Sequence, residues 1–288
     1  LEQLEAYATE RAKQENTIFA LAQENHAQLK ATLIEQLSRE SESEQKGRFK
    51  EAAENLNFPD SLSHQLSRFD YLFARDDNNV IRNRPEHFDG SRQSCVYIDK
   101  SLPITSDIKQ QILIFYELVN QYGKPWSTRS EHTYLFTDKM IVRFWPDFPT
   151  WCFDATADLD LTQTKYFRVA EPQHNPKQTT VWTGVYYEPV ASELLVSAIT
   201  PVYVEGQHIA TIGSDIEFNS LLSHLHTQRL EGTRHILFRS DGRLIAHKAW
   251  LPHMMAKLGQ FNILTDGNHQ LKQIFQLVKQ IQDAVLSI

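Results

Sequence analysis

Glycine is scarce in this sequence, and its few glycines form no nucleotide-binding loop. Only 10 of the 288 residues are glycine, and none falls in the G-x-G-x-x-G or G-x-x-x-x-G-K-[ST] arrangements that hold phosphate groups. A serine nucleophile flanked by glycines is also absent. The 12 histidines include no H-E-x-x-H zinc motif. We therefore predict no catalytic residues, no cofactor and no metal site.

Basic residues and long apolar runs are also lacking. The 29 Lys and Arg residues are outnumbered by 36 Asp and Glu residues, which gives a net charge of −7 at pH 7. Proteins that bind nucleic acids usually carry a basic face, so we predict no nucleic-acid partner. No stretch approaches the 18 consecutive apolar residues of a membrane span.

Cysteine is limited to Cys95 and Cys152, and neither has the neighbours of a metal site. The pair is compatible with one disulfide in an oxidising compartment, or with two small, buried thiols. From the sequence alone we favour the buried thiols.

The first 50 residues are rich in helix formers, and the first glycine is Gly47. Mostly apolar or small residues recur at helical spacing in three series. They are Leu1, Leu4 and Ala8, then Ile18 and Ala22, and then Phe19, His26, Leu29, Leu33 and Leu37. This narrow seam predicts a helix that packs against another helix. A continuous helix would be about 70 Å long. It would be either an edge helix on a large domain or a dimer stalk, and we favour the stalk.

After Pro59 the sequence indicates strands and hairpins. Residues 69–74 predict a short strand, and residues 107–120 predict a helix that ends near Gly123. Residues 133–136 and 140–145 predict a hairpin.

Further hairpins follow in the second half of the chain. Residues 194–204 and 208–212 flank a glycine turn, and Asp241–Gly242 lies between two apolar runs. We expect Asp215 to end its strand and to cap the helix that follows. The residues after Pro252 predict helices. Consecutive hairpins with few crossover helices predict an α+β fold with antiparallel sheets.

The segment 166–216 carries an ordered series of motifs. They are Tyr166–Phe167, Ala170, Asn175–Pro176, Trp182–Thr183, Tyr186, Glu188, Pro201–Val202–Tyr203, Gly206 and Gly213–Ser214–Asp215–Ile216. In this order and spacing the series resembles the double Cache family. Its members, also called tandem PAS-like or PDC domains, are the extracytoplasmic sensor domains of bacterial membrane receptors.

The resemblance implies a stalk helix in residues 1–50, a membrane-distal PAS-like unit in 51–228 and a short or truncated proximal unit in 229–288. It implies a periplasmic, non-enzymatic sensor. The chain would be anchored in the inner membrane by spans outside these residues, and it would form a homodimer through its first helix. The cytoplasmic output would be a histidine kinase or a diguanylate cyclase.

The resemblance also places a small-ligand site in the distal unit. The candidate residues are Arg143, Trp145, Trp151, Asp154, Tyr166, Trp182, Tyr186, Glu188, Ser197 and Thr200. Family members that bind amino acids have an arginine where this chain has Thr164, and an acid at a position that we assign to Glu188. The missing arginine argues against an amino acid and favours an amine or a neutral compound. An amino-acid-like compound or a carboxylate stays open as a ligand, because Arg143 or Arg168 is available for a carboxylate.

Two other functions stay open from the sequence. One is a ligand-independent dimerisation or adhesion scaffold, and the other is a secreted hydrolase without a recognisable motif. Trp182 and Tyr186 are equally compatible with core packing. Flanking membrane spans would favour the sensor, because neither alternative requires them.

Overall fold

The computed structural model describes residues 2–50, 62–127, 131–226 and 235–286. The first elements are α1 (Glu2–Lys50), α2 (Leu62–Leu72), β1 (Phe73–Arg75), β2 (Ile81–Asn83), β3 (Cys95–Ile98), α3 (Ser106–Ser127), β4 (Glu131–Phe136) and β5 (Met140–Phe144). They are followed by α4 (Trp151–Asp154), α5 (Lys165–Ala170), β6 (Val181–Glu188), β7 (Glu193–Val204), β8 (Gln207–Glu217) and α6 (Phe218–His226). The last elements are β9 (Leu237–Phe238), β10 (Leu244–Ala246), α7 (Leu251–Ala256), α8 (Ile263–Asp266) and α9 (His269–Leu286).

The fold is α+β, with a long helix followed by a large antiparallel sheet, as the sequence predicted. Eight strands form the sheet in the order β1-β2-β3-β5-β4-β8-β7-β6, and β9 and β10 form a second sheet of two strands. The predicted hairpins are present at β4–β5, β7–β8 and β9–β10. Glu205 and Gly206 connect β7 to β8 with φ angles of 50° and 80°, the left-handed geometry that tight hairpin turns need.

Two predicted boundaries are wrong. Residues 69–72 belong to α2 and not to a strand. Phe69, near the end of α2, is buried, and its ring centroid lies 5.2 Å from that of Phe73, the first residue of β1. Helix α3 does not end near Gly123 but continues to Ser127. A Cβ atom at Gly123 would lie 2.7 Å from the Cβ atom of Phe144. This glycine therefore allows close packing and does not end the helix.

The described chain divides into two compact units. The larger unit comprises residues 17–181 and 198–215, and the smaller unit comprises residues 1–16, 182–197 and 216–288.

One face of the main sheet carries the core of the larger unit. Side chains from α1, α3 and the strands pack there, including Leu29, Leu33, Ile112, Phe115, Val119, Val96, Leu135, Val142, Ala210 and Ile212. Of the α1 seam, Ala22, His26, Leu29 and Leu33 are fully buried within this chain, and Ile18, Phe19 and Leu37 are half-buried. This stretch of α1 therefore packs as an edge helix on its own domain, which was the alternative to a dimer stalk.

The smaller unit has its own apolar core around β10 and the last helices. Its buried side chains include Leu244, Ala246, Met254, Phe261, Ile263, Leu271 and Phe275. Across the described residues, no helix is both long enough and apolar enough to span a bilayer.

The two cysteines form a disulfide, so the interpretation as free thiols is wrong. Strand β3 carries Cys95 and helix α4 carries Cys152, with Cα atoms 5.6 Å apart. Their separation of 57 residues hid this proximity in the sequence. Disulfides persist in oxidising compartments.

His26 connects α1 to the main sheet. Its side chain is fully buried, with Nδ1 2.8 Å from Thr200 Oγ1 and Nε2 3.0 Å from Ser214 Oγ. Burial lowers the pKa of His26 from 6.5 to about 3, because the charged ring would lose its hydration. The imidazole is therefore neutral in the folded protein.

Acid should destabilise the fold through His26. Below pH 6.5 the unfolded chain binds a proton that the folded chain does not accept until about pH 3, so stability falls as the pH drops through this window. The cost from this residue reaches about 2 kcal/mol at pH 5. Urea unfolding at pH 7 and pH 5 should therefore show about 2 kcal/mol less pH dependence in His26→Gln. His174→Gln, at an exposed position, is the control and should leave the difference unchanged. An equal pH dependence in wild type and His26→Gln would contradict this assignment.

Candidate functional site

The second face of the main sheet carries polar and aromatic side chains in place of an aliphatic core. Successive residues of a strand point to opposite faces. Leu135 and Val142 therefore point toward the core, while Tyr134 and Arg143 point to the other side. Helices α4 and α5 contribute to this second face. We refer to Tyr134, Arg143, Trp145, Trp151 and Asp215 as the Arg143 cluster.

A buried ion pair is the centre of the cluster. Arg143 and Asp215 are both fully buried, and Arg143 Nη2 donates a hydrogen bond to Asp215 Oδ2. The hydroxyl of Tyr134 donates to the other carboxylate oxygen, Oδ1, over 2.8 Å. Each charge is thus neutralised by its partner, which a buried charge requires.

Three aromatic rings surround the guanidinium group of Arg143. Its Cζ atom lies 4.3 Å from the ring centroid of Trp145, 4.9 Å from that of Trp151 and 4.9 Å from that of Tyr134. All three distances are within the range of a cation–π interaction, which is strongest for desolvated cations. The cluster is therefore a closed aromatic cage around a cation.

Gly213 makes room for the Tyr134 ring. A Cβ atom at Gly213 would lie 2.1 Å from Tyr134 Cε2 and 2.7 Å from the Tyr134 hydroxyl oxygen. Because glycine has no side chain, the ring can cross β8 and reach Asp215. The expected role of Asp215 as a strand end and helix cap is wrong, because β8 continues to Glu217 and the carboxylate binds Tyr134 and Arg143.

Two buried hydrogen-bond donors lie in the walls of the cage. The indole Nε1 atoms of Trp145 and Trp151 are buried, and neither has a hydrogen-bond acceptor among the residues that the structure describes. Buried polar groups normally find a partner. These two N–H groups are suited to oxygen atoms of a bound molecule.

Helices α4 and α5 cover this part of the sheet. Trp151 begins α4, and Tyr166 on α5 packs edge-on against Tyr134 with ring centroids 5.6 Å apart. Thr164 caps α5 by accepting a hydrogen bond from Phe167 N over 3.3 Å. The exposed Asp154 accepts a hydrogen bond from Thr150 Oγ1 over 2.7 Å, so its carboxylate stabilises α4.

The remaining candidates lie elsewhere. Thr200 is in the larger unit, bonded to His26 and, over 2.7 Å, to the hydroxyl of Thr180. Trp182, Tyr186, Glu188 and Ser197 belong to the smaller unit. There Tyr186 and Ser197 share a hydrogen bond of 2.9 Å across β6 and β7, and the backbone oxygen of Trp182 accepts from Arg239 Nη1 over 3.1 Å.

Glu188 has a local structural contact. Its side chain is 3% exposed, and Oε2 accepts a hydrogen bond from Ala191 N over 2.6 Å. This bond closes the turn between β6 and β7. Asp215 is the acid that the structure joins to Arg143, whereas the acid predicted for a ligand's ammonium group was Glu188, in the smaller unit. The sequence signal that could have pointed to Asp215 is an acid among the otherwise mostly apolar residues of β8.

Comparisons with solved structures find ligand-binding domains of Pseudomonas amino-acid chemoreceptors. The domain of Pseudomonas fluorescens CtaA in complex with L-valine is 16% identical over 47% of this chain and 54% of its own length, with a TM-score of 0.35. The domain of Pseudomonas aeruginosa PctB with L-Gln is 21% identical over 40% and 45%, with a TM-score of 0.33. That of Pseudomonas aeruginosa PctC with GABA is 14% identical over 57% and 65%, with a TM-score of 0.37.

The chain spans about half the length of the first two of these domains. No family model matches the chain, and neither does any curated protein sequence. The chain is thus similar to these domains at a level that leaves its function to be argued from its own site.

The Arg143 cluster is suited to a small molecule whose charged group replaces one member of the ion pair. An incoming carboxylate can replace Asp215 beside Arg143, and an incoming cation can replace Arg143 beside Asp215. Aromatic rings bind either an apolar body or a cation.

Proposed function

We propose that this chain is an extracytoplasmic sensing domain that binds a small, charged organic molecule at the Arg143 cluster. The observation that carries the proposal is the Arg143–Asp215 ion pair, fully buried in an aromatic cage. A buried ion pair is often no more stabilising than apolar side chains of the same volume. Its presence is therefore better explained by recognition than by stability.

The preferred ligand is a zwitterion of amino-acid type. Its carboxylate would take the place of Asp215 beside Arg143, with the Trp145 and Trp151 N–H groups as further donors. Its ammonium group would take the place of the guanidinium beside Asp215. A zwitterion offers both replacements at once, whereas a simple amine or carboxylate leaves one buried charge without a partner.

The disulfide supports an extracytoplasmic location, because the cytosol keeps most thiols reduced. Together with the double Cache-like motifs, it supports assignment to a bacterial transmembrane receptor. In this proposal the membrane spans lie outside the chain, α1 contributes to a homodimer, and the output domain is a histidine kinase or a diguanylate cyclase.

Ligand entry requires movement of the segment that carries α4 and α5. Trp151 and Tyr166 are 0% and 2% exposed, so the cluster is closed in the described state. Binding would select a state in which this segment has opened and closed again over the ligand. Such a population shift needs only a difference in ligand affinity between the two states.

A thermal-shift screen tests the proposal. The 288-residue chain is tested against amino acids, amines, carboxylates and purines. A true ligand at a hundredfold excess over its Kd should add about 2.7 kcal/mol of stability. Amino acids are expected to give the largest shift, and the absence of stabilisation by every class would contradict sensing at this cluster.

Two matched acid-to-amide variants identify the acid of the site. Asp215→Asn should weaken binding of the best ligand about thirtyfold or more, because a buried charge pair loses one partner. Glu188→Gln should leave the affinity within about twofold. The reverse outcome would assign the ammonium group to Glu188.

Trp151→Phe keeps the ring wall and the ion pair intact but removes the indole N–H. A lower affinity of this variant for a ligand with a carboxylate therefore reports on the lost N–H donor.

A further inference from the structure

The smaller unit contains a cavity of about 370 Å³ that takes no part in the function proposed above. Ten residues line this cavity. They lie in or just before β9, in the segment after β10, and just before or within α9. Its volume is within the range of small-molecule sites.

Seven of the ten lining residues of the cavity are apolar, and ring contacts hold two of them in place. Phe238 lies 5.3 Å from Phe275, measured between ring centroids, and Trp250 lies 5.2 Å from Phe261. Ile274 and Val278 on α9 add aliphatic surface. Because these rings already pack on neighbours, the walls need little rearrangement to accept a flat ring.

The polar groups of the cavity carry no fixed charge. None of the ten lining residues is Asp, Glu, Lys or Arg. His247 Nδ1 accepts a hydrogen bond from Ala249 N over 3.2 Å, which requires a ring without a proton on Nδ1. Asn268 Oδ1 accepts from Leu271 N over 2.9 Å and so caps α9. Its amide nitrogen completes a neutral set of hydrogen-bonding groups.

We propose that this cavity is a second ligand site, for an uncharged aromatic molecule with a hydrogen-bonding group. The apolar side chains would hold the ring, and Asn268 and Gln270 would bind the polar end. A charged molecule would lose its hydration without meeting an opposite charge, which is costly. The site therefore differs in ligand class from the Arg143 cluster, which takes charged molecules.

Three fluorinated indoles of matched shape test the ligand class. Binding of 5-fluoroindole, 5-fluoroindole-3-acetate and 5-fluorotryptamine to the 288-residue chain is followed by fluorine NMR. The uncharged 5-fluoroindole should bind with a Kd below about 1 mM. The anion and the cation should bind at least about tenfold more weakly. No binding of 5-fluoroindole at that concentration, or tighter binding of a charged analogue, would overturn the proposal.

Adjacent residues of α9 provide a matched pair of variants. Val278 lines the cavity, whereas Leu277 is 58% exposed. Val278→Phe fills the cavity and should weaken 5-fluoroindole binding at least about tenfold. Leu277→Phe should leave the Kd within about twofold, because its side chain stays in solvent. Equal binding by both variants would place the probe elsewhere.

Two further variants keep the test decisive. If circular dichroism shows that Val278→Phe does not fold, Ala249→Phe fills the cavity from the other wall, and it too should weaken 5-fluoroindole binding at least about tenfold.

Asn268→Asp keeps a helix-capping oxygen and adds one negative charge. It should improve 5-fluorotryptamine binding at least about fivefold and leave 5-fluoroindole-3-acetate no tighter. A 5-fluorotryptamine Kd that does not tighten in Asn268→Asp would contradict the assigned polar end.

Discussion

Replacing Asp215 by alanine is expected to lower the free energy of unfolding by about 3–5 kcal/mol. The guanidinium of Arg143 would remain fully buried without its counter-charge, and the Tyr134 hydroxyl would lose its acceptor. Attraction to the surrounding rings recovers only part of this loss, since a cation–π contact contributes about 2 kcal/mol when desolvated. Urea denaturation followed by circular dichroism measures the change.

A double replacement separates the lost charge pair from lost packing. Arg143→Met combined with Asp215→Leu removes both charges and should recover most of the stability, because a buried pair can be replaced by apolar side chains at little cost. Asp77→Asn, at an exposed position in a turn, should change stability by less than about 0.5 kcal/mol. A similarly small effect of Asp215→Ala would show that the pair is not buried.

Removing the disulfide is expected to cost about 4 kcal/mol. In the chain-entropy account, the cross-link restricts the unfolded chain by closing the 57-residue separation between Cys95 and Cys152. Urea unfolding of Cys95→Ala/Cys152→Ala, compared with the oxidised wild type, measures this change. Reductant should lower the stability of the wild type by a similar amount.

The double cysteine variant is also the control for the reductant, which should not affect it. Thiol titration of the denatured, non-reduced wild type should detect no free thiol. Two free thiols per chain would show that the bond does not form, and the extracytoplasmic assignment would lose its support from redox chemistry.

Most of the secondary structure could be predicted, since alternation and turn residues act locally. The turn at Asp241–Gly242 and the short apolar runs on either side of it need no distant partner. Phe69 lies in a short apolar run, which fits a strand and a buried helix equally well. It packs into the core of the larger unit from the end of α2, and such packing cannot be deduced from composition.

The site was less predictable than the fold. Arg143, Trp145 and Trp151 were selected as candidates, and the structure places them in contact. Asp215 was assigned to a helix cap because an acid at the end of an apolar run usually has that role. Only the pairing of β4, β5 and β8 places it beside the guanidinium, and that pairing joins segments 72 residues apart.

Strand β8 holds two consecutive residues with separate tasks. Ser214 faces α1 and bonds to His26, while Asp215 faces the cage and bonds to Arg143. Since neighbours on a strand occupy opposite sides of a sheet, substitutions on the cage side leave the contact with the helix in place. If the cage binds the ligand as we propose, ligand preference can therefore change during evolution while the attachment of the long helix is inherited unchanged.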